Sequence, residues 1–200
     1  AGELSERGKA LLDIARNNVA RLVRLIGEIL DVDDIQSGRL KLDLQTVNLA
    51  ALVERAIDDN RPLALAAGVQ LVLHNDSGRV SVHGDATRLV QALNHLLSNA
   101  LKFSPRGASV EVGIARSDTG IRVTVTDEGP DIPDAFRDRL FQPFSQVEST
   151  DSGSRSGAGL GLSIAKAIIQ QHSGSIGHEP RPGSGARFYF ELPERPDSPA

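Results

Sequence analysis

The feature that most constrains the fold is a long apolar stripe near the start of the chain. Six apolar residues recur at alternating spacings of three and four: Leu12, Ala15, Val19, Leu22, Ile26 and Ile29. This heptad spacing predicts one helix from about Ala10 to Gln36, ended by Ser37 and Gly38. Leu11, Leu25 and Val32 widen the stripe. Because so wide an apolar face must be covered, a partner helix in a bundle is favoured over packing on the rest of the same chain, which remains the alternative.

Strand-like and helix-like segments alternate along the rest of the chain. Strand patterns occupy 40–44, 69–73, 79–83, 108–116, 120–126, 174–179 and 186–192. Helical patterns begin at Asn48, Asp85 and Ala158 and end near 66, 103 and 172. This order predicts an α/β two-layer sandwich, a mixed sheet covered on one face by three helices and preceded by the long bundle helix. We place domain boundaries at 1–38, 39–193 and 194–200, with the last segment a disordered tail or linker.

Composition excludes several classes of function. There are 26 acidic against 22 basic residues, a net charge of −4, so the clustered basic excess of a nucleic-acid binder is missing. The chain contains no cysteine, which excludes disulfides, zinc–thiolate sites and thiol catalysis. No apolar run in the sequence reaches membrane-spanning length. We therefore expect a cytoplasmic location.

Polar residues share one face of the helix that begins at Asp85. His95, Asn99 and Lys102 are spaced at i, i+4 and i+7, whereas the leucines between them point the other way. An amide oxygen and an ammonium group suit Mg²⁺ and phosphate. A plain solvated helix face is the alternative for this segment alone.

An acidic residue follows the strand over 120–126. Asp127 is followed by Gly129, so a ligand could approach backbone that carries no side chain there. A buried carboxylate that accepts from an exocyclic amine makes a charge-assisted bond of about 1.5–3 kcal/mol. An ordinary acidic turn is an equally good interpretation of this segment alone.

Glycines alternate where the last predicted helix begins. Gly157, Gly159 and Gly161 precede the apolar pattern that starts at Leu160 and Leu162. Backbone N–H groups at a glycine-rich helix N-terminus bind phosphate. No Gly-Lys-Ser/Thr follows and no strand precedes, which excludes a P-loop and a Rossmann dinucleotide fingerprint. A flexible linker, the alternative, does not continue into such an apolar helix.

Taken together, these segments resemble the ATP-binding domain of histidine kinases, within the superfamily that includes gyrase, Hsp90 and MutL. Asn99 with Lys102 resembles the N box, Asp127 with Gly129 the first glycine box, and the alternating glycines the second. Phe141-Gln142-Pro143-Phe144 is similar to the F box that marks kinases, and 183–188 to the glycines that lead the final strand. The resemblance covers 44–192 with the boxes in their usual order. The helix before it is similar to the second helix of the kinase dimerisation bundle.

The resemblance implies roles for particular residues. Asp127 would accept from the adenine amino group, Gly129 would permit its approach, Asn99 would ligate Mg²⁺, Lys102 would meet the phosphates and Phe103 would cover the adenine face. Residues 134–156 would form a mobile lid that carries Arg155 as a phosphate contact. The remaining ATP contacts implied are Ile132, Phe144, Gly157, Gly159, Leu160 and Gly161.

Three positions depart from the family's pattern. His95 stands where Asn is usual, and where hydrolytic relatives supply a Glu that activates water, so water attack is disfavoured. Asp131 replaces a glycine of the first box, and we expect it to strain a left-handed backbone by about 1 kcal/mol. On that reasoning Asp131→Gly would tighten ATP binding. Ala158 lacks a hydroxyl often found between the glycines.

No histidine in the chain has the surroundings of a phosphoacceptor. Apart from His95, the histidines are His74, His83, His172 and His178, which we expect at the surface. We therefore expect the acceptor upstream of Ala1 or in another protein, and no catalytic residue in this chain.

The first functional hypothesis is a kinase module that uses Mg-ATP to phosphorylate a histidine outside this chain. Its expected partners are ATP, the acceptor helix, a response-regulator receiver domain and a second copy of the parent protein, but not nucleic acid. The alternatives are a nucleotide-responsive scaffold with degraded catalysis and a serine-directed kinase of the anti-sigma type, against which the bundle helix and F box argue.

Overall fold

A computed structural model describes residues 5–146, 158–181, 183 and 185–194, which belong to two units, Ala1–Leu40 and Lys41–Ala200. The first unit contains helix α1, Glu6–Gln36, which confirms the helix predicted from the stripe and begins four residues earlier. The Ser5 side chain caps it by accepting from the Gly8 N–H at 3.2 Å. Gly38, with φ of 68°, ends it in the left-handed conformation that favours glycine.

The apolar stripe of α1 is exposed along its length. Five of its six predicted members retain more than half of their accessible surface: Leu12, Val19, Leu22, Ile26 and Ile29. No helix in the described part of the chain combines the length and apolar character needed to cross a membrane.

The second unit is built on a five-stranded mixed sheet. Its strands are β2 Gln70–Asn75, β4 Ser109–Ser117, β5 Gly120–Thr126, β6 Ser175–Pro180 and β7 Ala186–Leu192, in the order β2-β4-β5-β7-β6. Only the β2–β4 pairing is parallel, as expected for strands joined through a helical crossover. Two further strands, β1 Gln45–Asn48 and β3 Ser81–Gly84, form a small antiparallel sheet.

Three helices cover one face of the large sheet. They are α2 Leu49–Ala67, α3 Ala86–Phe103 and α5 Gly161–Gln171, packed side by side with α3 in the middle. Helix α2 lies against β2, α3 against β4 and β5, and α5 against β6 and β7, and inward residues such as Val123 and Phe190 are buried. Helices α2 and α3 start directly after Asn48 and Asp85, close to the predicted positions, and these side chains cap them. Asn48 accepts from one backbone N–H group of the first turn and Asp85 from two. A single-turn helix, α4 Asp134–Arg137, follows β5. The predicted sandwich with three covering helices is confirmed.

The opposite face of the sheet carries a layer of charged and aromatic side chains. Arg122 pairs with Glu179 at 2.5 Å and Glu191 at 2.8 Å, and its guanidinium lies 4.2 Å from the Tyr189 ring centroid. These interactions join β5, β6 and β7 on the side that has no helices.

The strand predicted over 40–44 is wrong in position. The backbone pairs only from Gln45, because its partner β3 is four residues long and offers Ser81 to Gly84 alone. Leu40 is nevertheless buried, and the Asp43 N–H donates to Asp85 Oδ2 at 3.1 Å. At the other end, Glu194 forms a β-bridge with Val82 and pairs with Arg116 at 3.0 Å. Glu194 is the first residue of the predicted tail, and the other residues of that tail, 195–200, lie outside the described residues.

Candidate nucleotide-binding site

Helix α3 presents the first group of predicted site residues. Its leucines are buried in the core, whereas Asn99 and Lys102 are half-buried. The Asn99 side chain makes no hydrogen bond to any described residue, unlike Asn94, whose Oδ1 accepts from the buried Asn60 at 2.7 Å. The Lys102 ammonium lies 4.8 Å from the Phe103 ring centroid. Asn99 therefore has an amide oxygen that can bind a ligand.

Asp127 is a buried carboxylate held by backbone donors. It follows β5 directly and is 2% exposed. Its Oδ1 accepts from the Gly129 N–H at 2.8 Å and from the Ala186 N–H at 3.2 Å, while Oδ2 accepts from no described residue. Burial raises the pKa of Asp127, and the two backbone N–H groups and Arg181 oppose that rise. The side chain is thus locked in orientation with one acceptor oxygen unused.

Gly129 has no room for a side chain. An added Cβ would lie 2.9 Å from Asp127 Oδ1 and 2.9 Å from the Phe103 carbonyl oxygen. The close approach brings the loop after β5 against the end of α3, so the first two predicted segments meet. Phe103 is half-buried at this junction.

Gly159 and Gly161 place the start of α5. Gly159 has φ of 71° and lies against the backbone of Phe144 and Ser145, where a Cβ would be 2.8–2.9 Å from their atoms. The N-cap residue Leu160 makes no side-chain capping bond, so the first N–H groups of α5 are available to an anion. The Leu160 side chain itself is 1% exposed and packs in the core, which leaves only its backbone for a ligand.

One face of α3 connects the two glycine segments. A Cβ on Gly161 would lie 2.8 Å from His95 Nδ1, so His95 contacts the start of α5. Phe103, eight residues further along α3, contacts Gly129. At 1.5 Å per residue these contacts are about 12 Å apart, with Asn99 and Lys102 between them. The structure therefore brings four predicted site residues together along this face of α3: Asn99, Lys102, Gly129 and Gly161.

The other predicted site residues are placed less centrally or cannot be placed. Ile132 is half-buried and lines a cavity near the end of β6, and Phe144 is 68% exposed with φ of 62°. Arg155 and Gly157 lie outside the described residues, as does much of the segment expected to form a lid.

The strain expected at Asp131 is not found. The only described non-glycine residues with positive φ are Phe144 and Ser173, so Asp131 has no left-handed backbone to relieve. Its Oδ2 instead accepts from the Gly183 N–H at 2.8 Å. The reason given for tighter ATP binding by Asp131→Gly therefore fails, because that substitution removes a bond without relieving strain.

Two histidines expected at the surface are not there. His172 is 5% exposed, with Nδ1 2.7 Å from the Ile168 carbonyl oxygen and Nε2 accepting from the Asp85 N–H at 2.9 Å. It links the end of α5 to the start of α3. His178 is half-buried, and its ring centroid lies 5.5 Å from that of Phe188. His172 and His178 are covered by the packing of helices and strands. The residue pattern near the end of an element does not predict such burial.

Sequence reasoning missed the support of Asp127 from β7. The Asp127 N–H donates to the Ala186 carbonyl at 2.9 Å, and the Ala186 N–H returns a bond to the carboxylate. Gly185, with φ of 88°, passes so close that a Cβ would lie 2.0 Å from the Asp127 carbonyl oxygen. The paired glycines before β7 were the signal in the sequence.

Comparison with known proteins agrees with this geometry. Residues 84–196 match the family model described as histidine kinase-, DNA gyrase B-, and HSP90-like ATPase. The chain is 32% identical over 177 residues to the sensor-like histidine kinase SenX3 of Mycolicibacterium smegmatis, covering 88% of this chain and 46% of that protein.

Solved structures of histidine kinases have the same fold. Full-length ShkA in complex with AMPPNP superposes with a TM-score of 0.83 at 27% identity, covering 99% of this chain and 41% of that one. Histidine kinase ThkA in complex with the response regulator TrrA gives a TM-score of 0.73 at 26% identity, covering 99% and 55%. The chain spans less than half of the length of the curated relatives it matches.

Proposed function

The chain belongs to the family of histidine kinase-, DNA gyrase B- and HSP90-like ATPases, as the ATP-binding catalytic domain of a sensor histidine kinase, and we propose that it transfers the γ-phosphoryl group of Mg-ATP to a histidine outside this chain. The observation that carries the proposal is the arrangement along one face of α3, from His95 at the start of α5 to Phe103 at Gly129. A buried carboxylate with an unused oxygen stands at one end and an uncapped helix N-terminus at the other.

Each end suits a different part of ATP. Asp127 Oδ2 can accept from the adenine amino group, and Gly129 leaves the base room to approach. The first N–H groups of α5 can bind phosphate oxygens, helped by the helix dipole. The separation of about 12 Å along α3 is comparable with the span of a nucleoside triphosphate. Lys102 lies between the ends, where its positive charge favours the triphosphate.

Asn99 fits the role proposed for it toward Mg²⁺. Its amide oxygen is a hard neutral ligand, and Mg²⁺ typically takes one or two protein ligands together with phosphate oxygens and water. The described residues contain no group of three or more carboxylate or imidazole side chains that could hold a metal without a nucleotide. When bound, Mg²⁺ would neutralise charge on the phosphates. The chain's own contribution is then positioning, since the attacking histidine comes from elsewhere.

The exposed stripe of α1 supports a bundle partner. Its side chains sit at heptad spacing and are more than half exposed, as expected for a helix that packs against helices of the acceptor-bearing bundle. We propose that the parent protein dimerises through this bundle and passes the phosphoryl group to a response-regulator receiver domain, in the cytoplasm where ATP is present. The scaffold alternative was motivated by Asp131 and His95 together, and of these Asp131 carries no backbone strain.

The test combines the chain, radiolabelled ATP and a fragment that carries a histidine-bearing bundle helix. Label that enters the helix and is released by acid but not by base identifies phosphohistidine and supports the proposal. Acid-stable label on serine would support the anti-sigma alternative. Nucleotide binding without transfer to the helix would instead favour the scaffold, and a helix in which the histidine is replaced by glutamine serves as the matched control.

A further inference from the structure

The β6–β7 turn, residues 181–185, lies against the loop that carries Asp127. Both of its glycines have positive φ, 72° at Gly183 and 88° at Gly185. Gly185 passes so close to the loop that a Cβ would lie 2.0 Å from the Asp127 carbonyl oxygen, whereas a Cβ on Gly183 would meet no atom within 4 Å. Packing therefore fixes Gly185 but not Gly183.

Asp131 supplies a hydrogen bond where packing does not hold the turn. Its Oδ2 accepts from the Gly183 N–H at 2.8 Å, across 52 residues of sequence. Asp131 is exposed and has no positive φ, so neither core packing nor backbone strain accounts for the position of its side chain. An alanine or a glycine at this position could not accept from Gly183. The turn is thus attached to the loop at Gly183 as well as at Ala186.

The turn brings two groups to the Asp127 carboxylate. The Ala186 N–H, at one end of the turn, donates to Oδ1 at 3.2 Å, the long end of the usual range. Arg181 stands at the other end. Burial raises the pKa of Asp127, and the N–H groups of Gly129 and Ala186 and the charge of Arg181 lower it. Two of these three opposing groups therefore depend on where the turn lies.

We propose that Asp131 is a positioning residue for the nucleotide site: by accepting from Gly183 it holds the β6–β7 turn against the Asp127 loop. The turn then keeps Ala186 and Arg181 beside the Asp127 carboxylate, with Oδ1 occupied and Oδ2 left for the base. This role requires no contact between Asp131 and the nucleotide. It rests on the proposed function, in which Asp127 accepts from the adenine amino group.

Two substitutions separate the bond from the charge of Asp131. Asp131→Ala removes the carboxylate together with its bond to Gly183. Asp131→Asn removes only the charge, because its amide oxygen still accepts from the Gly183 N–H while its NH₂ group faces solvent. The side chain is exposed, so we expect both proteins to fold.

The pKa of the Asp127 carboxyl group in the nucleotide-free chain is the direct measurement. NMR of the side-chain carboxyl carbons during an acid titration reports this pKa, and Asp127→Asn identifies the signal. Asp131→Ala should raise it above the wild-type value, because Ala186 and Arg181 are no longer held in place, whereas Asp131→Asn should not. Loss of the Asp131 charge alone acts in the opposite direction. An Asp127 pKa in Asp131→Ala that is equal to or below that in Asp131→Asn would overturn the proposal.

Calorimetry with two nucleotides tests the consequence for binding. ATP affinity should be about 2- to 10-fold weaker in Asp131→Ala than in Asp131→Asn. Purine riboside triphosphate, which lacks the exocyclic amino group, should bind both variants equally, and an equal loss for both nucleotides would overturn the positioning role. A wild-type chain that binds ATP no more tightly than this analogue would instead refute the assignment of Asp127 to adenine. The pKa comparison is made without nucleotide, so it distinguishes the two failures.

Discussion

Replacing Asp127 by Asn reverses the hydrogen-bonding character of one atom in the proposed adenine site. Two backbone N–H groups, from Gly129 and Ala186, donate to Oδ1. If the introduced amide placed its NH₂ group at that position, these donors would face another donor. The Asn side chain must therefore keep its oxygen at the Oδ1 position. Its NH₂ group then replaces Oδ2, the atom assigned to the adenine amino group. The local structure should survive and the acceptor should be lost.

The expected loss of ATP affinity follows from that geometry. A charge-assisted bond of about 1.5–3 kcal/mol disappears, and a buried donor facing another donor costs about 1–3 kcal/mol more. Together these predict an affinity at least about 100-fold weaker. Guanine presents a carbonyl where adenine has its amino group, so GTP affinity should not fall with that of ATP.

Stability should change in the opposite direction to affinity. Burial raises the pKa of Asp127 in the folded state above its unfolded value. The folded domain therefore binds the carboxyl proton of Asp127 more tightly than the unfolded chain does. The stability that this proton contributes is present below the unfolded pKa and is lost as pH rises through the folded pKa. Asp127→Asn has no such loss, so without nucleotide its melting temperature at pH 7 should equal or exceed that of the wild type.

Isothermal titration calorimetry with Mg-ATP and Mg-GTP, and thermal melts from pH 4 to pH 8, measure these effects. Glu128→Gln is the matched control. It removes the same charge one residue away, and Glu128 is exposed and, among the residues the structure describes, accepts only from Ser109. The control should bind ATP as the wild type does. An Asp127→Asn protein that retains ATP affinity within a few-fold would refute the assignment of this carboxylate to adenine.

Three further outcomes are expected. Gly129→Ala should weaken ATP binding at least about 10-fold and lower the free energy of unfolding by about 1–3 kcal/mol, because the new Cβ would lie 2.9 Å from the Phe103 carbonyl oxygen. Calorimetry measures the affinity and urea unfolding the stability, and no change in either would contradict the close approach. Asn99→Ala should abolish the Mg²⁺ dependence of ATP affinity while Mg²⁺-free binding persists, so parallel titrations in EDTA are decisive. His172→Phe should destabilise the domain by about 1–3 kcal/mol by leaving the Asp85 N–H without its acceptor, and an unchanged urea midpoint would argue against that link.

Local signals made much of the fold predictable. The spacing of Leu12 to Ile29 predicted α1, and the helical patterns that begin at Asn48 and Asp85 predicted where α2 and α3 start. Such signals act over one or two helical turns, within the reach of periodicity and capping. The order of the candidate motifs also indicated the family.

The arrangement of the site depended on contacts between residues far apart in the chain. Ala186 holds Asp127 from 59 residues away, and His172 accepts from Asp85 across 87 residues. Asp131 was misjudged for the same reason, since a distant Gly183 N–H stabilises a conformation that the local pattern did not predict. Periodicity and capping specify which elements form, because their energies are local. Which side chains are buried and which oxygen is left for a ligand is decided only when those elements pack, because each buried polar group must find its partner wherever the fold provides one.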